Sequence, residues 1–188
     1  MKIGILGGTF NPIHIGHLIL AEQVMEKLSL DKIIFVPTNF PPHKDDGEII
    51  AAKERLKMLK LAIKGNKKFS VSDIEIKRGG KSYTVDTLKE LHKIYPKDEL
   101  YFITGSDLLK YLNEWKDIGD VFQIAKFVVA TRPGYPLENL PQQIITIPIN
   151  ALDVCAFTIR QKIKNNSSIR YIVPDRVINY IQKKGLYK

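Results

Sequence analysis

The sequence predicts an α/β protein in which a doubly wound, mostly parallel sheet carries helices on both faces. Three observations support this prediction: short apolar runs of strand length, stretches with apolar residues at helical spacing, and regular alternation of the two. Such alternation is typical of strand–helix–strand units joined by right-handed crossovers. The chain has 188 residues and no evident linker or repeat, so we expect residues 1–188 to form a single domain.

The predicted elements follow in order along the chain. The first unit joins the strands KIGIL and KIIFVP through a helix with an apolar face formed by Leu18, Ala21, Val24, Met25 and Leu28. The later strands are FSVSDIEI, LYFIT, FVVAT and IITI, and helices are predicted near 55–63, 84–94 and 118–124. A small helical segment ends the chain, with Pro174 in its first turn and Gly185 as its stop.

Composition limits the class of protein. With 44% hydrophobic and 26% charged residues, the chain resembles an ordinary soluble protein. Cys155 is the only cysteine, which excludes an intrachain disulfide and a cysteine-clustered metal site; we expect its side chain to be buried filler. No uncharged run approaches the ~20 residues that cross a bilayer, and the apolar start is too short for a signal peptide. We therefore expect a cytoplasmic protein without membrane association.

Positive charge is concentrated near the end of the chain. Lysine and arginine outnumber aspartate and glutamate by 29 to 20, and residues 155–188 hold eight basic residues and one acidic residue. Such a segment attracts nucleic acid, acidic lipid or a small polyphosphate. A solvated basic helix face accounts for the same residues, so charge alone leaves these alternatives open.

The strongest functional signal lies where the first predicted strand ends. Residues suited to a turn and to anion binding follow that strand: Gly7, Gly8, Thr9, Phe10, His14, Gly16 and His17. Ligands of open parallel sheets bind at such carboxyl ends, and a helix N-terminus favours phosphate. His14 and His17, three positions apart, can present ring nitrogens to one anion. The alternative is a glycine turn with two helix-capping histidines.

Two other nucleotide-binding motifs are matched only in part. A dinucleotide fingerprint needs glycines spaced as G-x-G-x-x-G, but they stand at 4, 7 and 8, and the second strand ends in PTN without an acidic ribose ligand. The run GKS at 80–82 resembles the end of a P-loop, but Glu75 occupies the position of its first glycine. The sequence therefore argues against a hydride-transfer enzyme and against a P-loop protein.

The stretch GGTFNPIHIGH resembles the signature of the HIGH-type nucleotidyltransferase superfamily, which includes small adenylyltransferases and class I aminoacyl-tRNA synthetases. The chain is too short for a synthetase and lacks the KMSKS loop. The motifs PPHK, SYTVDT, GSD followed by Trp115, ATRPG and the ending GLY are together similar to bacterial nicotinate-nucleotide adenylyltransferases. The resemblance covers nearly the whole chain and implies a Rossmann-like nucleotidyltransferase fold.

This resemblance implies adenylyl transfer from ATP to nicotinate mononucleotide, giving deamido-NAD and pyrophosphate in NAD biosynthesis. The mononucleotide phosphate would attack the α-phosphorus directly, so catalysis would consist mainly of positioning and charge stabilisation. Mg²⁺ would enter with ATP, held mainly by phosphates and water, with no metal site formed by the protein. We expect a monomer or homodimer, with no membrane or nucleic-acid partner.

The resemblance also implies residue roles. The catalytic residues would be His14, His17, Lys44 and Arg160. ATP would be bound by Gly7, Gly8, Thr9, Phe10, His17, Asp107, Arg132, Thr158 and Arg160. The acceptor would be bound by Tyr83, Thr84, Trp115 and Lys44. Helix capping is the alternative for Thr9, Thr84 and Asp107, packing is the alternative for Trp115, and a solvated loop position is the alternative for Lys44.

One departure from the family pattern affects the phosphate site. Where the family has Ser-Ser-Thr before x-Ile-Arg, this chain has Cys155, Ala156 and Phe157, although Arg160 remains. Thr158 is one position away, a rotation of ~100° on a helix. Two other functions stay open: an adenylyltransferase for another phosphorylated acceptor such as phosphopantetheine, and a non-catalytic nucleotide- or RNA-binding protein on this fold.

Overall fold

Six parallel strands form one sheet in the computed structural model, which describes residues 1–41, 49–131 and 140–188. The strands are β1 (Lys2–Gly8), β2 (Lys32–Pro37), β3 (Phe69–Val71), β4 (Glu99–Gly105), β5 (Lys126–Thr131) and β6 (Ile144–Pro148). Their order in the sheet is β3-β2-β1-β4-β5-β6, and each neighbouring pair is parallel. The predicted parallel sheet is confirmed.

Helices cover both faces of this sheet. The described residues form α1 (Ile15–Lys27), α2 (Ala52–Ala62), α3 (Ile74–Arg78), α4 (Thr84–Ile94), α5 (Ile118–Ile124), α6 (Ala156–Lys164) and α7 (Asp175–Lys184), with a 3-10 helix at Ser106–Glu114. Helices α1, α2, α6 and α7 contribute to one core, and α4, α5 and the 3-10 helix contribute to the other. Within the described ranges, no helix has both the length and the apolar character needed to cross a membrane.

Alternate side chains of each strand enter the two cores. In β2, Ile33 and Phe35 belong to the core beneath α1 and α2, whereas Ile34 and Val36 belong to the core beneath α4. This is the two-residue period of a strand that is buried on both faces. It explains why the strands are nearly continuous apolar runs in the sequence, and it confirms the doubly wound arrangement.

The predicted strand FSVSDIEI is only partly correct. Residues Phe69–Val71 pair with β2, but Ile74–Arg78 form the short helix α3. Its turns are closed by hydrogen bonds from Lys77 N to Asp73 O (2.9 Å) and from Gly79 N to Glu75 O (3.0 Å). The alternating isoleucines suggested a continuing strand, because a pattern of four or five residues is too short to separate a strand from a helical turn.

The order of strands reverses between β1 and β4. Both strands end in glycine, at Gly8 and Gly105. In open parallel sheets the chain connections diverge at such a reversal and leave a crevice outside the carboxyl ends of the strands. The fold therefore places the predicted glycine turn at the edge of a crevice.

Candidate active site

A cleft of about 1090 Å³ opens at the carboxyl ends of β1 and β4. Most of the site residues predicted from the sequence line this cleft, although they come from distant parts of the chain: Gly7, Gly8, Thr9, Phe10, His14, His17, Tyr83, Thr84, Asp107, Trp115 and Arg160. Thr158 does not line it. Lys44 and Arg132 lie outside the described residues. The structure thus brings most of the predicted ATP and acceptor residues that it describes into one space.

The two histidines stack at the start of α1. Their ring centroids are 3.7 Å apart and their planes differ by 33°. The backbone N–H of His14 donates to Nδ1 of His17 (3.2 Å), so Nε2 carries the proton when the His17 ring is neutral. The edge of the Phe10 ring contacts His17, with 5.0 Å between ring centroids. These contacts hold the His17 ring from two sides.

The loop between β1 and α1 (residues 9–14) depends on close approaches. A Cβ at Gly16 would lie 3.1 Å from Nδ1 of His14, nearer than ordinary van der Waals contact. Phe10 has a φ of 49°, in the left-handed region, and its ring is buried within 6.0 Å of the Phe35 ring centroid. Phe10 therefore lines the cleft while its ring supports His17 from the core.

Arg160 enters the cleft from α6. Its side chain is buried, and Nη1 donates to the backbone oxygen of Asn11 at 3.1 Å. The Phe157 ring centroid lies 5.8 Å from the guanidinium carbon. A cation from the C-terminal part of the chain is thus bonded to the loop that carries the histidines.

The residues that depart from the family pattern occupy the start of α6. Cys155, Ala156 and Phe157 all line the cleft. The expectation that Cys155 is buried filler is wrong, because it is the capping residue before the first turn of α6 and is exposed at the helix end. Its Sγ lies 3.0 Å from Oγ1 of Thr158, which places that hydroxyl on the cap.

The Cys155 thiol has an altered acidity. Burial of part of the thiol acts to raise its pKa, but hydrogen bonds from Thr158 and Phe157 outweigh that effect and lower the pKa. A lowered thiol pKa increases the thiolate fraction at neutral pH, and the thiolate is the reactive form.

Tyr83, Thr84 and Trp115 form another wall of the cleft. Thr84 is the first residue of α4 and Tyr83 is its capping residue. The Trp115 indole packs against Phe102 and Phe127, with 5.7 Å between ring centroids in each case. Trp115 therefore lines the cleft and also packs against two aromatic rings of the core, which hold its indole in place.

Glu75, Asn11 and Lys116 also line this cleft, although no role in it was predicted for them from the sequence. Glu75 lines the cleft and is 5% exposed, and its Oε1 accepts a hydrogen bond from the Thr87 hydroxyl (2.6 Å). Burial raises the pKa of Glu75 against the opposing hydrogen bonds of Ser82 and Thr87. In the sequence, this position is marked by a carboxylate that stands between two isoleucines, Ile74 and Ile76.

Asn11 and Lys116 contribute through contacts that motifs do not reveal. Oδ1 of Asn11 accepts hydrogen bonds from the Tyr187 hydroxyl (3.0 Å) and from the backbone N–H of Ile50 (3.3 Å). Nζ of Lys116 lies 4.9 Å from the Tyr83 ring centroid. Asn11 stands inside the GGTFNP motif, which is the only sequence signal for its role, and Lys116 directly follows the tryptophan.

No protein metal centre is found among the residues that the structure describes, since no three His, Cys, Asp or Glu side chains are grouped there. The groups that face the start of α1 are imidazoles and a guanidinium, which suit phosphate oxygens. Such donors are compatible with a metal ion that enters bound to the phosphates of a nucleotide.

The broad protein family of this chain is given by a comparison with family models. A family model described as cytidylyltransferase-like matches residues 5–173. This chain belongs to that family, in agreement with the doubly wound fold and with a cleft at the strand-order reversal.

Curated relatives define the particular family. The chain is 44% identical over 187 residues to an Enterococcus faecalis protein named "Probable nicotinate-nucleotide adenylyltransferase", covering 100% of this chain and 85% of that protein. It is 43% identical over 198 residues to a Clostridium novyi protein of the same name, covering 100% of this chain and 99% of that protein. The chain belongs to the nicotinate-nucleotide adenylyltransferases, as its motifs predicted.

Solved structures agree on the fold. A Plasmodium falciparum nicotinic acid mononucleotide adenylyltransferase complexed with NaAD superposes with a TM-score of 0.81 at 20% identity, covering 99% of this chain and 97% of that chain. The same enzyme complexed with APC gives a TM-score of 0.80. These comparisons confirm the Rossmann-like nucleotidyltransferase fold.

Proposed function

We propose that this chain transfers an adenylyl group from ATP to nicotinate mononucleotide, giving deamido-NAD and pyrophosphate in NAD biosynthesis. The observation that carries the proposal is one cleft that joins the histidine pair of α1 to the aromatic wall of Tyr83 and Trp115. Full-length identity to the curated relatives supports it. In this proposal residues 1–188 act as one domain.

The β1–α1 loop and α6 bind the triphosphate. Gly7, Gly8 and Thr9 let the backbone approach the phosphates, and the N-terminus of α1 attracts their negative charge. His14, His17 and Arg160 donate hydrogen bonds to oxygens that gain charge during the reaction. The proposed contacts of Phe10 and Thr158 are indirect, through His17 and through the α6 cap.

Other polar residues complete the ATP site. Asp107 follows β4 at the edge of the cleft, where its carboxylate would accept hydrogen bonds from the ribose. Lys44 and Arg132, outside the described residues, are proposed as further phosphate contacts. Mg²⁺ bound by the ATP phosphates and water would neutralise charge on the departing pyrophosphate.

The wall of the cleft formed by Tyr83, Thr84 and Trp115 binds the acceptor. The Trp115 indole offers a flat face on which a pyridine ring can stack. The backbone N–H groups at Tyr83 and Thr84, at the start of α4, suit the pyridine carboxylate. The acceptor phosphate would then point toward the histidines, with Lys44 as an additional contact.

The reaction needs no nucleophile from the protein. An oxygen of the mononucleotide phosphate attacks the α-phosphorus, the bond from that phosphorus to the bridging oxygen breaks, and pyrophosphate leaves with the electron pair. The chain holds the two nucleotides in line and supplies donors to the phosphate oxygens. These are the tasks for which the cleft residues are suited.

A pyrophosphate-release assay with ATP and Mg²⁺ tests this proposal. Nicotinate mononucleotide, its amide analogue and phosphopantetheine are compared as acceptors at equal concentrations. We expect the highest kcat/KM for nicotinate mononucleotide. Faster release with phosphopantetheine would contradict the proposed acceptor, and release with none of the three would indicate a nucleotide-binding protein without this activity.

A further inference from the structure

Arg55, in α2, has a buried guanidinium that binds three backbone carbonyls. Nη1 donates to Thr9 O (2.8 Å), Nη2 to Asn39 O (3.0 Å) and Nε to Ile50 O (3.1 Å). The side chain is only 1% exposed. The three acceptors belong to different segments, which follow β1, follow β2 and precede α2.

No carboxylate oxygen of the described residues lies within salt-bridge distance of this buried cation, although the charge of Glu75 acts on it electrostatically. Burial lowers the pKa of Arg55, as expected for a charge removed from water. Burying a charge is costly, and well-packed apolar residues are often at least as stabilising as buried ionic groups. An apolar residue at this position would avoid the buried charge, but it would leave the carbonyls of three separate segments without the donor that connects them.

The hydrogen bond from Arg55 to Asn39 connects α2 to the residues just before α4, where the proposed acceptor contacts lie. The backbone N–H of Asn39 donates to Oγ of Ser82 (2.9 Å), and the N–H of Ser82 donates to Phe40 O (2.9 Å). Ser82 directly precedes Tyr83 and Thr84, at the start of α4. The position of Asn39 is therefore transmitted to the turn that carries the proposed acceptor contacts.

The hydrogen bond from Arg55 to Thr9 connects α2 to the loop after β1, where the proposed ATP contacts lie. Thr9 stands immediately before Phe10, whose ring supports His17. Two residues after Thr9, the backbone oxygen of Asn11 is bonded by Arg160. A shift of the Thr9 carbonyl would therefore move the loop that links the phosphate-binding groups.

We propose that Arg55 is a positioning residue that sets the ATP-binding loop and the acceptor-binding turn relative to each other. The inference rests on the proposed function, because it concerns the alignment of that reaction. In-line transfer depends on the relative placement of two bound substrates more strongly than the binding of either one does. Loss of the Arg55 guanidinium and its three hydrogen bonds should therefore reduce kcat more than it weakens the binding of either substrate.

Arg55→Lys is the direct test, because it keeps the charge but replaces the planar fork with a single flexible ammonium group. Arg176→Lys is the matched control, since Nη1 of Arg176 also donates to a backbone carbonyl (Lys64 O, 2.9 Å) but at an exposed site. We expect kcat of Arg55→Lys to fall about 100-fold with both KM values within about threefold of wild type. The control should keep wild-type kinetics.

Calorimetric Kd values for ATP and for nicotinate mononucleotide, each measured alone, separate binding from alignment. Thermal unfolding of each variant shows that the assay temperature lies below its transition. Wild-type kcat in a folded Arg55→Lys would overturn the proposal. A parallel loss of ATP affinity and kcat would also overturn it, because Arg55 would then act through binding.

Ser82→Ala tests the acceptor arm without changing Arg55. We expect about a tenfold fall in kcat, and little further loss when this change is added to Arg55→Lys, because both act through one path. Additive losses, or wild-type kcat in Ser82→Ala, would contradict a route from Arg55 through Asn39 to Ser82. If Arg55→Lys does not fold, the kcat of Ser82→Ala alone tests the proposal. Wild-type turnover in the same assay tests the proposed function separately.

Discussion

The His14 and His17 rings owe their arrangement to two residues whose side chains cannot donate to a phosphate. Gly16 leaves room for the His14 ring, and Phe10 holds the edge of His17. Because these contacts fix the rings before any ligand binds, histidines that donate to phosphate as proposed would need little reorganisation during the reaction. Preorganised donors of this kind are the ones that contribute most to stabilising a transition state.

His14→Ala and His17→Ala are each expected to lower turnover by about 10²- to 10³-fold, the usual effect of removing one preorganised donor. Steady-state kcat measures the loss, and thermal unfolding checks the fold. His92→Ala is the control, because this histidine is exposed on α4 and does not line the cleft. Near-normal kcat in a folded variant would remove that histidine from the catalytic groups.

Trp115→Ala is expected to weaken acceptor binding by about 1–3 kcal/mol, the scale of stacking between a base and an aromatic side chain. ATP affinity should change little, since the indole stands with the acceptor contacts. Calorimetric titration of each substrate gives the comparison, and Trp115→Phe should keep part of the acceptor affinity. Equal losses for both substrates would show that Trp115 acts only by packing against Phe102 and Phe127.

The start of α6 shows how an element can keep its role while its side chains change. Arg160 still reaches the loop after β1, although a thiol, a methyl group and an exposed aromatic ring precede it. Phe157 is 58% exposed, so its ring is not filling the core. In the proposed ATP site, backbone N–H groups of the first turn and Arg160 are the donors that α6 would offer to phosphate.

Cys155 gives a measurable signal from this element. Its pKa is lowered, so alkylation by iodoacetamide should reach half of its maximal rate at a lower pH than an unperturbed thiol. Mass spectrometry follows the reaction, with N-acetylcysteine as the reference, and Cys155 is the only cysteine in the chain. Saturating ATP should slow the reaction, because Cys155 lines the cleft. The same pH profile as the reference, with no ATP protection, would contradict this description of α6.

The elements differ in how far the sequence predicts them. Strands buried on both faces give long apolar runs, so β1, β2, β4 and β5 were predictable. Helix α3 was not, because five residues are too few to show a clear period, and the 3-10 helix was not, because its three-residue turn departs from the 3.6-residue period that marks an α-helix. The Arg55 contacts could not be predicted either, since their acceptors are backbone carbonyls and any residue type supplies a carbonyl.

At the scale of the whole molecule, the site depends on strand order. β1 and β4 are neighbours in the sheet, although more than 90 residues separate their starting positions. The motifs GGTF, SYT and GSD therefore meet at one edge, which the resemblance implied but the spacing of the motifs could not show. The net charge of +9 further favours the approach of anionic nucleotides to the molecule as a whole.

In the proposed reaction, this one cleft joins an adenylyl group to nicotinate mononucleotide without a covalent protein intermediate. Incubation with ATP labelled at the α-phosphorus, nicotinate mononucleotide and Mg²⁺, followed by separation of the products, tests it most directly. We predict that the label appears in deamido-NAD in equal amount to the pyrophosphate released, with none retained on the denatured protein. Label bound to the protein, or pyrophosphate released without labelled deamido-NAD, would contradict the account.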